Sequence, residues 1–422
     1  MVGLPGEHDS RGTFVSDDLG LFADDSGETT RPRGRRQVRE ERERFRRRRR
    51  QRSVTALAGL FVLLLVGTGV VYGVSQFLQI GTYDDYQGQG TGDVVVEVES
   101  GDTVSAIGTK LRQADVVAST KAFIKAAENN RQINGIQPGF YLMKSKMSGA
   151  AAVAHILSPA AKTGRVEVRG GQRLEDQLTP DGGHSPGILT KLADATCAGA
   201  QGSRPCTTPE QMHEIAATAD LASLGVPEWA LEGASKAEPK RRLEGLIMPG
   251  IYDIKPGEAP EEVLRQVVTK SAANLEAAGM PQAAEATGHS PYEVLIIASL
   301  VQSEGIEKDF PKVSRVIYNR LTHPVIKLGL DSTINYPLDK PTLLTKPEDR
   351  QRPGPYNTYQ NYGLPPTPIS TVSKEAVAAA EKPEEGGWKY FVKCYPDGTS
   401  CFANNQQEHQ AFIDEARRRG AF

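Results

Sequence analysis

The sequence predicts an α+β protein carried on a single N-terminal transmembrane helix, and three observations lead there. Residues 54–74 are apolar and uncharged, a strand-led pattern recurs after about 70 residues, and the most apolar helix beyond the membrane segment ends on a glutamate. At 422 residues the chain is long enough for two to four folded units. Fifty Lys+Arg against 52 Asp+Glu leave a net charge of −2, which excludes a globally basic nucleic-acid binder. A composition of 38% hydrophobic and 24% charged residues excludes a collagenous or wholly disordered chain.

The first element is a tail. Residues 1–30 are polar and acidic with too few large apolar side chains to offset the entropy of ordering them, so disorder is expected. In 31–52, thirteen of the 22 positions are Arg, including the run Arg46-Arg47-Arg48-Arg49-Arg50. At 1.5 Å per residue, the 21 positions of 54–74 span about 31 Å, the thickness of a hydrocarbon core. The arginines precede this span and Asp84-Asp85 follow it. By the positive-inside rule residues 1–53 form a cytoplasmic tail, 54–76 a single-pass cell-membrane anchor, and everything after 77 is extracytoplasmic. A cleaved signal peptide would need a shorter apolar run and a small-x-small site, which 72–77 do not supply. The Arg run then reads as a topology signal touching anionic lipid, with no nucleic-acid partner.

A Gly-, Tyr- and Gln-rich linker at 77–93 leads to the first folded unit, 94–160. Val94-Val95-Val96-Glu97-Val98 reads as a strand. Val104, Ile107 and Leu111 recur at helical spacing after Asp102 or Thr103 as N-cap. A second helix at 121–129 and a return strand at 139–143 complete a βααβ unit. Through Gly101-Asp102-Thr103-Val104-x-x-Ile107 this unit resembles a LysM domain, which implies either binding of N-acetylglucosamine-containing glycan or a spacer of the same shape.

The second unit, 161–422, echoes the first. Val96-Glu97-Val98-x-x-Gly101 returns as Val166-Glu167-Val168-x-x-Gly171, and Pro138-Gly139-Phe140-Tyr141 as Pro249-Gly250-Ile251-Tyr252. The second landmark recurs after about 111 residues, so the copy contains roughly 40 extra residues, assigned to a loop-rich insert at 179–227 outside the core. The four cysteines form two close pairs, Cys197/Cys206 inside that insert and Cys394/Cys401 flanking the turn Pro396-Asp397-Gly398-Thr399. Local disulfides in an oxidising compartment are expected in place of a metal site, because no C-x-x-C or His pair accompanies them.

Chemistry concentrates after residue 290. In 291–304, Ile297, Leu300, Val301 and Glu304 fall on one helical stripe, so a carboxyl extends the apolar face; burial would raise its pKa and suit it to general-acid work. A helix follows from Phe310-Pro311, with Asp309 as expected cap. Loops rich in Tyr, Asn and Thr come next, supplying flat faces and amide donors of the kind a sugar chain needs.

The string Ala298-Ser299-Leu300-Val301-x-x-Glu304, then Asn319-Arg320-Leu321, Asp331-x-Thr333-x-x-Tyr336, Tyr356-Asn357-Thr358-Tyr359 and Gly363-Leu364-Pro365-Pro366, resembles the endolytic murein transglycosylases of the MltG (YceG-like) family over about 94–422. Gln302, Ser332 and Ser370-Thr371 depart from the family pattern. The resemblance implies a mixed α/β catalytic domain and a lyase that cleaves the MurNAc-GlcNAc β-1,4 bond of nascent peptidoglycan strands, leaving 1,6-anhydro ends and terminating elongation. It implies Glu304 as the catalytic residue and no cofactor or metal. Asn319, Asp331, Thr333, Tyr356 and Asn357 are expected to position the glycan, and neither Glu307 nor Asp331 to act as nucleophile. Peptidoglycan synthases and the elongation or division machinery are the expected partners. A wall-binding scaffold without catalysis, or a muramidase-type hydrolase, is the alternative.

Overall fold

The computed structural model describes residues 83–421 apart from 180, 199–205, 323 and 343–344, together with 64 and 66–68. The cytoplasmic tail expected at 1–53 lies outside the described residues, and so does the 54–76 anchor except for those four helical positions. Among the described residues no helix is long and apolar enough to cross a membrane.

From Tyr83 onward the chain forms a compact unit with two hydrophobic cores. The first is built on strand β1 (Gln89–Val98), helices α1 (Val104–Gln113) and α2 (Thr120–Ala127), strand β2 (Gly139–Met147), helix α3 (Gly149–Ile156) and the short β3 (Lys162–Thr163). The strands pair antiparallel in the order β1-β2-β3. Alternation turns Val96 and Val98 inward onto Ile107, Leu111, Phe123 and Met143, all buried. Thr103 caps α1 by accepting from the Ala106 N–H at 3.1 Å. Asp102, the other cap candidate, instead accepts from the Glu99 N–H and pairs with Lys110 at 2.8 Å.

The second core starts at strand β4 (Arg165–Val168) and the small hairpin β5 (Gln177–Leu178) with β6 (His184–Ser185). Helices α4 (Ile188–Ala195), α5 (Pro209–Thr218) and α6 (Glu228–Lys236) follow, then strand β7 (Gly250–Asp253) and helix α7 (Pro260–Ala278). β4 pairs with β7 as β1 pairs with β2: Val166 faces Tyr252 and Val168 faces Gly250, matching Val96 with Tyr141 and Val98 with Gly139. Both tyrosines donate to the carbonyl four residues back, Tyr141 to Gln137 and Tyr252 to Met248, each at 2.7 Å.

The 179–227 segment departs from the expectation of a loop-rich elaboration. Two of its helices, α4 and α5, bury Leu189, Leu192, Met212 and Ala216, and Leu221, Leu224 and Val226 join them in the main core. Thr208 and Gln211 form a capping box that starts α5, a signal written in the sequence as Thr-Pro-Glu-Gln. Cys197 and Cys206 are bonded just beyond α4, Cα atoms 4.9 Å apart, so the link joins two core helices.

Helix α8 (Pro291–Glu304) is the hub. Its residues Tyr292 and 294–301 are all buried, as expected of a helix enclosed on every side, and Ser290 with Glu293 closes a capping box at its start. Helix α9 (Phe310–Leu321), the short helices α10 (Asp331–Asn335) and α11 (Pro347–Gln351), and helix α12 (Lys374–Glu381) surround it. The chain ends in hairpin β8 (Tyr390–Lys393) and β9 (Ser400–Ala403) with helix α13 (Gln406–Arg419). The result is a mixed α/β architecture of helices and small antiparallel sheets. Asp309 does not cap α9 with its side chain. Its Oδ2 accepts from the Ser400 N–H at 2.8 Å, because β9 approaches that turn, and Cys394 is bonded to Cys401 across the hairpin.

Candidate active site

Glu304 stands at the last position of α8, before Gly305, where an enclosed helix meets the surface. The residue keeps partial contact with solvent. Burial of its carboxyl nevertheless holds the pKa above the ordinary carboxylate value, and the negative charge of Asp331 pushes in the same direction. Against this, the Ser332 N–H donates to Glu304 Oε1 at 3.1 Å, and Lys393 adds a weaker attraction. Desolvation outweighs these contacts, so the acid keeps its proton to higher pH than a free glutamate.

Helix α10 brings Asp331 and Ser332 to that carboxyl. Asp331 Oδ1 accepts from the Tyr359 hydroxyl at 2.5 Å and lies 3.7 Å from Arg350 Nε, while the Arg350 guanidinium covers the Tyr359 ring at 5.1 Å. The buried Arg320 guanidinium, held by the Lys389 carbonyl at 2.6 Å and by that of Leu328, lies over the Tyr390 ring at 5.3 Å and feels the charge of Glu304. A partly sheltered carboxyl thus has one acidic neighbour and cations at its margin.

The other expected glycan-positioning residues face inward. Thr333 is fully buried, its hydroxyl shared with the Leu330 carbonyl (2.7 Å) and Thr358 (2.8 Å). Asn319 donates to the carbonyls of Gly386 and Trp388 at 3.0 and 2.8 Å. The Tyr356 hydroxyl meets Thr367 at 2.8 Å, and Asn357 spans the Arg350 and Arg352 carbonyls and the Tyr359 N–H. These side chains knit loops behind the site, and only Asp331 of the five lies beside Glu304. Glu307 is exposed one turn further on. Gln302 accepts from the Ser373 N–H at 3.0 Å and braces the loop beyond the Pro365-Pro366 motif. A cavity of about 740 Å³ lies elsewhere, between 217–222 and Leu231, Glu232 and Arg242.

Sequence reasoning passed over Tyr359, Arg350 and Glu244. Tyr359 lay within a motif already singled out, and Glu244 precedes the repeated Pro-Gly-x-Tyr landmark, which was the available signal. Arg350 has no sequence signature distinguishing it from a solvated arginine.

The YceG-like family model matches residues 96–415. The protein named endolytic murein transglycosylase from Bacillus subtilis is 25% identical over 353 residues, covering 82% of this chain and 89% of that one. Its namesake from Streptococcus pneumoniae serotype 2 is 26% identical over 339 residues, 76% of this chain and 58% of the relative. The crystal structure of a yceG-like protein from Listeria monocytogenes aligns with a TM-score of 0.46 at 22% identity, covering 76% of this chain and 99% of that one.

Proposed function

The chain belongs to the YceG-like family, and from that premise we propose that it is an endolytic lytic transglycosylase of peptidoglycan, anchored in the cell membrane through 54–76 and acting on glycan strands outside it. Relatives at 25% and 26% identity bear the name endolytic murein transglycosylase. The observation that carries the reading is Glu304, a carboxyl lifted by burial above the ordinary range yet open enough to meet a substrate. Such a group keeps its proton to higher pH than a free glutamate and can deliver it to a leaving oxygen.

In the proposed reaction Glu304 gives its proton to the oxygen joining MurNAc C1 to GlcNAc, the C1–O bond breaks, and GlcNAc departs with a free 4-hydroxyl. The Glu304 carboxylate then takes the proton of the MurNAc 6-hydroxyl as O6 bonds to C1. The product is a 1,6-anhydro end, no water is consumed, and the acid is regenerated. A retaining glycosidase would need a second carboxylate as nucleophile about 5–5.5 Å from the first. Asp331 is committed to the Tyr359 hydroxyl and Arg350, and we assign it to orienting the glycan and keeping Glu304 protonated. Asn319, Thr333, Tyr356 and Asn357 support that surface from behind. The 94–160 unit serves as a LysM-like glycan contact or spacer, and synthases of nascent strands are the natural partners.

Mass spectrometry of sacculi digested by the full chain tests this. Anhydro-muramic ends are expected, and Glu304→Gln should lower their release by about 100- to 10,000-fold with folding intact. Reducing muramic ends would identify a muramidase-type hydrolase instead, and undiminished cleavage by the variant would remove Glu304 from the chemistry.

A further inference from the structure

A second buried acid has no part in that reaction. Glu244 is 1% exposed, in a turn whose next residue, Gly245, has a φ of +76° and packs so closely on Pro368 that any Cβ would collide. Its Oε2 accepts from the Tyr336 hydroxyl at 2.9 Å and the Leu174 N–H at 3.5 Å, while Oε1 is buried without a partner. Arg173 and Glu175 face it from the segment after β4, Tyr292 from α8 and Tyr336 from the end of α10. Arg241 covers the rings of Tyr336 and Tyr356 at 4.6 and 4.7 Å. Arg173 Nη1 also donates to the carbonyls of Asn335 and Tyr336 at 3.3 and 3.0 Å. The short α10 is therefore gripped at its C-terminal end by the surroundings of Glu244, and at its N-terminal end Ser332 donates to Glu304. A buried oxygen without a donor tolerates a neutral carboxyl far better than a carboxylate.

We propose that Glu244 is a positioning residue: protonated, it keeps segment 331–336 docked with Asp331 and Ser332 at Glu304, and its ionisation releases that segment. The consequence for cleavage rests on the reading of Glu304 given above, whereas the latch itself does not. Burial pushes Glu244 up to about 7 in spite of Tyr336 and Arg173. Undocking lets water reach the carboxyl and returns its pKa toward about 4.3. The docked state binds the proton more tightly, so rising pH favours release.

Hydrogen exchange of the full chain in detergent, read by mass spectrometry at pH 6 and pH 8 and corrected for intrinsic rates, reports the latch directly. Opening of 331–336 should increase about tenfold between these values, with 104–113 in the other core unchanged. Glu244→Gln, permanently neutral, should abolish that increase and retain more of its pH 6 cleavage rate at pH 8 than the wild type. Equal corrected protection of 331–336 at both pH values in the wild type overturns the proposal, whether or not the variant folds. Glu304→Gln should keep the exchange pattern while losing cleavage; if it cleaved normally, Glu304 would leave the proposed chemistry and the latch would stand.

Discussion

Glu304 and Asp331 illustrate how two neighbouring carboxyls come to sit in different surroundings. Glu304 loses hydration at the end of an enclosed helix, whereas Asp331 receives the Tyr359 hydroxyl and the neighbouring Arg350. The negative charge of Asp331 helps hold the proton on Glu304, so Asp331→Asn should lower the Glu304 pKa. The alkaline limb of the pH–rate profile should then move to lower pH, with the acid deprotonating sooner. A limb that stays in place or moves upward in muropeptide-release assays would remove Asp331 from that role. Glu304 was legible as a candidate because a carboxyl on an apolar stripe conflicts with its surroundings. Thr333, Tyr356 and Asn357 were legible as polar or aromatic loop residues. Residue type cannot tell whether a hydroxyl or amide will face a sugar or its own backbone, and here each meets the chain.

The strand pairs β1–β2 and β4–β7 carry the same register and the same tyrosine-to-carbonyl bond, so the recurring motif marks one structural solution used twice. Strand periodicity of two makes such a register readable, since a slip of one residue would turn both valines outward. The extra residues of the second copy were harder to read. Length counting detects an insertion but not its burial, and helices α4 and α5 contribute Leu189, Leu192 and Met212 to the main core. Leu192→Ala should therefore cost about 2–5 kcal/mol in denaturant unfolding. A loss below about 0.5 kcal/mol, typical of surface positions, would mean that the segment is peripheral after all.

Across the molecule, Glu244 and Glu304 are both held above their ordinary pKa by burial, so folding retains protons that the unfolded chain releases. A raised folded pKa contributes stability that is full below the unfolded value and disappears as pH rises through the folded one. For Glu244 that window runs from about 4.3 up to about 7. The Tm of the protein should fall across it, and Glu244→Gln should flatten the decline. A wild-type Tm rising steadily from pH 5 to pH 8 would contradict the assignment.

Hydrophobic periodicity and short motifs were enough to establish the helices at 104–111, 291–304 and 310–321, the two matching hairpin-like pairs and the hairpin at 390–403, and to single out the carboxyl at 304 as a candidate. Those features depend on neighbours close in sequence or on a repeating pattern that burial imposes. The inward turn of Asn319, Tyr356 and Asn357, the reassignment of Asp309 to β9, and the burial of Glu244 against Tyr336, 92 residues away, depend on groups that meet only after the chain has folded. Hydrogen-bond partners and desolvation are properties of that assembled environment, so they were settled there and nowhere earlier.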